Sequence, residues 1–155
     1  MDIFEAKRQA IYHMTKHNLI QTGWKFQLDT AKRRFGYCSY TRKIISLSQP
    51  LTTVNNEVEV LDTILHEIAH ALTPKAHHGP IWMAKCIELG CRPVRCYTTV
   101  NVIAVASRYK AKCGACGSLF ERLKQVKRFR RVACRCQNKL PWNEKVLLIY
   151  IDTQR

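Results

Sequence analysis

Apolar residues Ile3, Phe4, Ala6, Ala10, Ile11, Met14 and Leu19 recur at near-helical intervals. They predict an amphipathic helix over 3–20, with Gly23 placed to end it. Next, Trp24, Phe26 and Leu28 alternate with Lys25, Gln27 and Asp29, the period of a strand with one buried face. Beyond the basic residues 32–34 and a turn candidate at Gly36, Ile44, Ile45 and Leu47 mark a second strand over 43–48. Two antiparallel strands joined by a basic loop are expected. From about Thr53 to Thr73, Val58, Leu61, Leu65, Ile68 and Leu72 step by three and four, which is one stripe of one helix. Thr53, Asn55 and Asn56 are candidate N-caps, Glu57 and Glu59 suit the positive end of the dipole, and Pro74 stops the helix.

A short loop then reaches Gly79 and Pro80, where a second helix over 81–89 begins, and Gly90 ends it. Residues 100–106 read as another strand, and an apolar run, 146–151, lies near the C-terminus. The expected class is α+β. The internal boundary is placed near Ser107, where the composition turns basic and cysteine pairs begin, dividing the chain into 1–107 and 108–155.

With 155 residues there is room for one globular domain plus a small metal-stabilised appendage. No apolar run approaches the length of a membrane span, and the N-terminus mixes charges among its apolar residues as no secretory signal would. The expectation is an intracellular protein, in cytoplasm, nucleoid or nucleus, a monomer by default and with no membrane partner. In a reducing compartment, CxxC spacing among eight cysteines points to metal rather than disulfides. The net charge of +15 is uneven: residues 1–107 carry 13 Lys/Arg against 8 Asp/Glu, and residues 108–155 carry 13 against 3. Such a basic C-terminal third suits a polyanionic partner, nucleic acid above all, through counterion release; the plainer alternative is a solubilising surface.

The strongest chemical signal is HEIAH at 66–70, inside the helix that the periodicity defines independently. One helical turn separates His66 from His70, so both imidazoles leave the same face and can meet one Zn2+. Glu67 then stands beside the metal as candidate general base for a zinc-activated water, the chemistry of peptide hydrolysis. A third protein ligand is needed, and the loop into the next helix offers His77 and His78. The metzincin pattern is excluded, because Thr73 and Ala76 stand where it needs glycine and histidine.

Cys113 and Cys116 form a CxxC, and Cys134 and Cys136 a CxC after 17 intervening residues. Four thiolates at this spacing are candidates for a structural zinc in a ribbon-like β subdomain, supplying folding energy that so short a segment lacks from apolar burial. Between the pairs, residues 121–131 carry Arg122, Lys124, Lys127, Arg128, Arg130 and Arg131, candidate phosphate contacts, with Phe129 among them as a possible base-stacking ring. An ordinary solvated strand pair is the alternative. Cys38, Cys86, Cys91 and Cys96 lack close pairing and read as free thiols. A CxxC redox protein is disfavoured by the missing βαβ context.

Taken together, Gly23-Trp24 ahead of a strand, Gly36, Ile45-Ser46-Leu47-Ser48, HEIAHAL, and His78-Gly79 with Trp82 resemble the SprT-like (Spartan-type) zinc metallopeptidases over most of the chain. The resemblance implies a small zincin-type metallopeptidase domain, His78 as third ligand of the catalytic zinc, an appended zinc ribbon, and protein substrates at or near DNA, including proteins crosslinked to it. The CxC departs from the CxxC usual in both halves of that ribbon. A zinc-containing nucleic-acid-binding protein without peptidase activity is the rival reading.

Overall fold

A computed structural model describes residues 1–95, 102–125, 132–142 and 144–153. The chain divides into two compact units, Met1–Val105 and Ala106–Arg155. The first opens with α1 (Ile3–Lys16), capped by the Asp2 carboxylate, which accepts hydrogen bonds from the amides of Phe4 and Glu5. Only Ala6, Ala10 and Met14 of its apolar residues are buried, and Phe4 is 82% exposed. The helix stops at Lys16, short of 20, because Asn18 turns into the left-handed region (φ 57°) and Gly23 does so again at φ 87°.

Three strands follow: β1 (Lys25–Asp29), β2 (Gly36–Ser39) and β3 (Ile44–Ser48), in the order β1-β3-β2. The expected antiparallel pairing of β1 and β3 is wrong. They run parallel, with Phe26 opposite Ile45 and Leu28 opposite Leu47, while β2 is the strand antiparallel to β3. A single apolar face does not announce β2, whose residues are Gly, Tyr, Cys and Ser, so the chain between the two apolar strands looked like loop. At the end of β1, Asp29 accepts from the Ala31 amide (2.8 Å), Ser46 Oγ (2.7 Å) and Arg34 Nη2 (2.6 Å), which ties the basic loop to the sheet.

The long helix expected from Thr53 is two helices, α2 (Gln49–Val54) and α3 (Glu57–Leu72), broken at Asn55. Asn56 caps α3 by accepting from the Glu59 amide at 2.9 Å. Asn55, buried, binds backbone instead: its amide donates to Leu51 O and Ile103 O, and its carbonyl accepts from Ile103 N. Residues 102–106 therefore lie as a strap outside any sheet rather than as the predicted strand, and the rest of that strand falls outside the described residues.

Helix α3 is the axis of the unit. The predicted stripe is buried or half-buried except at its start: Val58 is 71% exposed, whereas Leu65 and Ile68 are buried, and Val60 and Ile64, outside the stripe, are fully buried with Ile45, Leu47 and Met14. On the other side Leu65 and Ala69 pack with Trp82 and Cys86 of α4 (Pro80–Leu89). Packed against α1, β2 and β3 on one side and α4 on the other, α3 is covered nearly all round, so a one-stripe reading underestimates its burial.

The second unit holds β4 (Tyr109–Lys112), β5 (Leu119–Arg122) and the short β6 (Ile151–Asp152), antiparallel in the order β5-β4-β6. Its core is Ala111, Cys113, Cys134 and Leu148, flanked by Phe120, Val132 and Tyr150. No helix of the described residues is long and apolar enough to cross a membrane.

Candidate metal centres

His66 and His70 leave the same face of α3, and the chain then doubles back through a tight loop. Thr73 ends the helix, its hydroxyl donating to Ala69 O at 2.7 Å, and Lys75 and His77 both adopt positive φ (67° and 50°). That reversal delivers His78 to the helix face: His70 Nε2 and His78 Nε2 are 3.1 Å apart, and one ring nitrogen from each of His66, His70 and His78 lies within 4.8 Å of the others. His77 is not in the group. Tetrahedral coordination at about 2.0–2.1 Å would hold imidazole nitrogens about 3.3 Å apart, so the set fits a zinc ion.

Trp82 forms the floor. Fully buried, its ring lies 4.8, 5.1 and 4.6 Å from those of His66, His70 and His78, and is stacked on His70. Pro80 at the first turn of α4 and the Gly90 cap fix the helix that carries it. Arg92, just past that cap, donates from its amide to Asp62 Oδ1 (2.8 Å) and from its guanidinium to Asp62 Oδ2 (3.0 Å) and to Glu59, clamping the end of α4 to α3. From the sheet side, the Tyr40 hydroxyl donates to His70 O at 2.9 Å.

Burial, then the charges of neighbouring histidines, pulls the His66 imidazole down to about 3 and His70 down to about 4. His78 is lowered too, by burial and then by Arg95 and His77. All three are thus favoured in the neutral form that ligates metal.

Glu67, next to His66 on α3, lies against Gly36 of β2. A Cβ added at Gly36 would lie 2.5 Å from Glu67 Oε1 and 2.7 Å from its Cγ, so only glycine leaves room for the carboxylate there. Burial pushes this carboxyl up to about 8, with Arg34 opposing. A nearby dication would draw it back toward the ionised form that accepts a proton.

In the second unit, Cys113 and Cys136 sulfurs are 3.7 Å apart, as are those of Cys116 and Cys134, and all four lie within 4.8 Å of one another. A tetrahedron with zinc–sulfur bonds of about 2.3 Å has edges of about 3.8 Å, which these distances match. The CxxC turn closes by Gly117 N donating to Cys113 O, with Gly117 at φ 73°. Of the six basic candidates for nucleic-acid contact, Arg122 stacks over Tyr150 (5.1 Å to the ring centroid) and Lys124 is exposed. Lys127, Arg128, Arg130 and Arg131, with Phe129, lie outside the described residues, as does Cys96. Cys86 and Cys91 are buried beside Trp82, and Cys38 is half-buried on β2. The spacing of residues gave no hint of Tyr40 or Arg92; each contributes through a long-range contact that no local motif encodes.

Two imidazoles one helical turn apart and a third from the following loop form, within an α+β protein, a group that could hold a metal ion, and the buried Glu67 carboxylate follows His66 in the chain. The model described as the SprT-like family matches residues 3–102, more than half of the chain, and the protein belongs to that family. No curated protein matches the chain.

Proposed function

We propose that this protein is a zinc-dependent metalloendopeptidase that acts on proteins at or near DNA, with DNA–protein crosslinks as one class of substrate. The observation that carries the peptidase reading is the convergence of His66, His70 and His78 with Glu67 held separately against Gly36. When bound, zinc supplies Lewis acidity, polarising a carbonyl and making water easier to deprotonate. His66 and His70 are fixed by α3, and His78 by the loop and by Trp82, so the three ligands are preorganised on a rigid floor. Glu67 takes a proton from the attacking water and returns it to the leaving amine, and burial around it keeps bulk solvent from competing for that proton. The domains are read as a metallopeptidase over 1–107 and a basic zinc-ribbon-like subdomain over 108–155, whose charge brings the enzyme to nucleic acid.

The test is proteolysis of the protein itself and of a histone-like basic protein, with and without single-stranded DNA, for wild type and Glu67→Gln. DNA-stimulated cleavage in wild type, lost in the variant with about two zinc ions per chain in both, is the expected result. Two zincs without cleavage by wild type would instead favour a nucleic-acid-binding protein.

A further inference from the structure

Gln137 is 3% exposed, with a side-chain amide that no part of the proposed chemistry uses. Its carbonyl oxygen accepts from Val146 N at 2.7 Å, and its Nε2 donates to Val146 O at 3.2 Å, a two-point clamp on the backbone of a segment nine residues further on. The same Nε2 lies 3.8 Å from Cys113 Sγ, within reach of a second donation. Gln137 directly follows Cys136 in the single-turn helix Arg135–Gln137, and Cys113 is the sulfur paired with Cys136. The residue thus contacts Cys113, adjoins Cys136 in the chain, and holds the backbone at Val146.

An amide donor beside a thiolate disperses negative charge that would otherwise sit desolvated in the core, and it fixes the orientation of the sulfur; in metal sites such outer contacts govern affinity. A buried amide with three polar contacts would be costly to keep for packing alone, since leucine fills similar volume without desolvation. The sulfurs have unequal partners. Cys116, exposed, donates to the Ser118 hydroxyl oxygen at 3.1 Å, whereas Cys113, buried, accepts from Gln137.

We propose that Gln137 is the positioning residue of the four-cysteine metal site, donating to the Cys113 thiolate while locking the CxC turn to Val146. The proposal rests on the reading of the cysteine cluster as a zinc site. The full-length protein, loaded with Co2+, gives a near-ultraviolet sulfur-to-metal charge-transfer band that the histidine site cannot give, and chelator titration of that band yields the affinity. Gln137→Leu removes every hydrogen bond. Gln137→Glu keeps an acceptor for Val146 N and removes the donations to Val146 O and to sulfur.

Loss of the donation raises the energy of the sulfur lone pair, so both variants are expected to shift the band to longer wavelength and to lose roughly 10–100-fold in affinity. The Glu variant should also fold by circular dichroism. Wild-type affinity and an unmoved band in both variants would overturn the proposal, and weaker binding with an unmoved band would reduce Gln137 to a backbone clamp and overturn the donation to Cys113. Absence of the band in wild type would overturn the cysteine-site reading itself, and the proposal with it.

Discussion

Gly36 and Glu67 show how much of this site depends on a single missing methyl group. Gly36→Ala should drive the carboxylate off β2 and lower kcat by roughly 10–100-fold, since small misplacements of a reacting group are this costly, while zinc content stays at the wild-type level. Steady-state cleavage alongside metal analysis separates the two readouts, and unchanged kcat would show that Glu67 has another resting place. Asp29 offers a pH-dependent case. Burial pushes its carboxyl up, but hydrogen bonds from Ser46, Ala31 and Arg34 outweigh it and leave it below the usual range. A carboxyl depressed in the folded state stabilises above its unfolded value of about 3.9 and loses that contribution as pH falls through the folded value. Asp29→Asn should therefore cost about 1–2 kcal/mol at pH 7, and its urea midpoint should converge on that of wild type as pH drops below about 4; a gap that widened in acid would contradict the network.

At the scale of elements, the site is a matter of how α4 is held to α3. His78 and Trp82 belong to the loop and helix that follow α3, and the Arg92 clamp and the cluster that includes Leu65, Ala69, Trp82 and Cys86 press them onto it. Arg92→Ala would leave Glu59 and Asp62 as buried carboxylates facing one another without their cation. Allowing for the half-exposed guanidinium, the loss should be about 2 kcal/mol in thermal unfolding, with weaker zinc retention at the histidines. Arg92→Lys should recover part of both, and full retention by the alanine variant would locate the fastening elsewhere. The sequence marked the end of α3 and both ends of α4 because stops and caps are local: Pro74, Pro80 and Gly90 each act within a turn, whereas the start of α3 stayed open among Thr53, Asn55 and Asn56. It missed β2, and paired β1 with β3 in the wrong sense, because strand order depends on partners distant in the chain.

For the molecule as a whole, the two units draw stability from different sources. The first buries large side chains of α1, α3 and the sheet, whereas two of the four residues of the second unit's buried apolar cluster are cysteines of its own candidate metal site. Chelation should therefore release hydrogen-exchange protection in residues 106–153 while the amides of α3 keep most of theirs; equal loss in both would mean that the histidine metal also supports the fold. By itself the sequence determined the α+β class and pointed to His66, His70 and the four cysteines as candidate metal ligands and to Glu67 as candidate base, because these rest on helical repeat, spacing of a few residues and the chemistry of imidazole and thiol. Selection of His78 by a loop with two positive φ angles, the seat of Glu67 on Gly36, and the grip of Gln137 on Cys113 and Val146 were decided only in the tertiary structure. Each depends on groups brought together from separate segments, where no periodicity records the meeting.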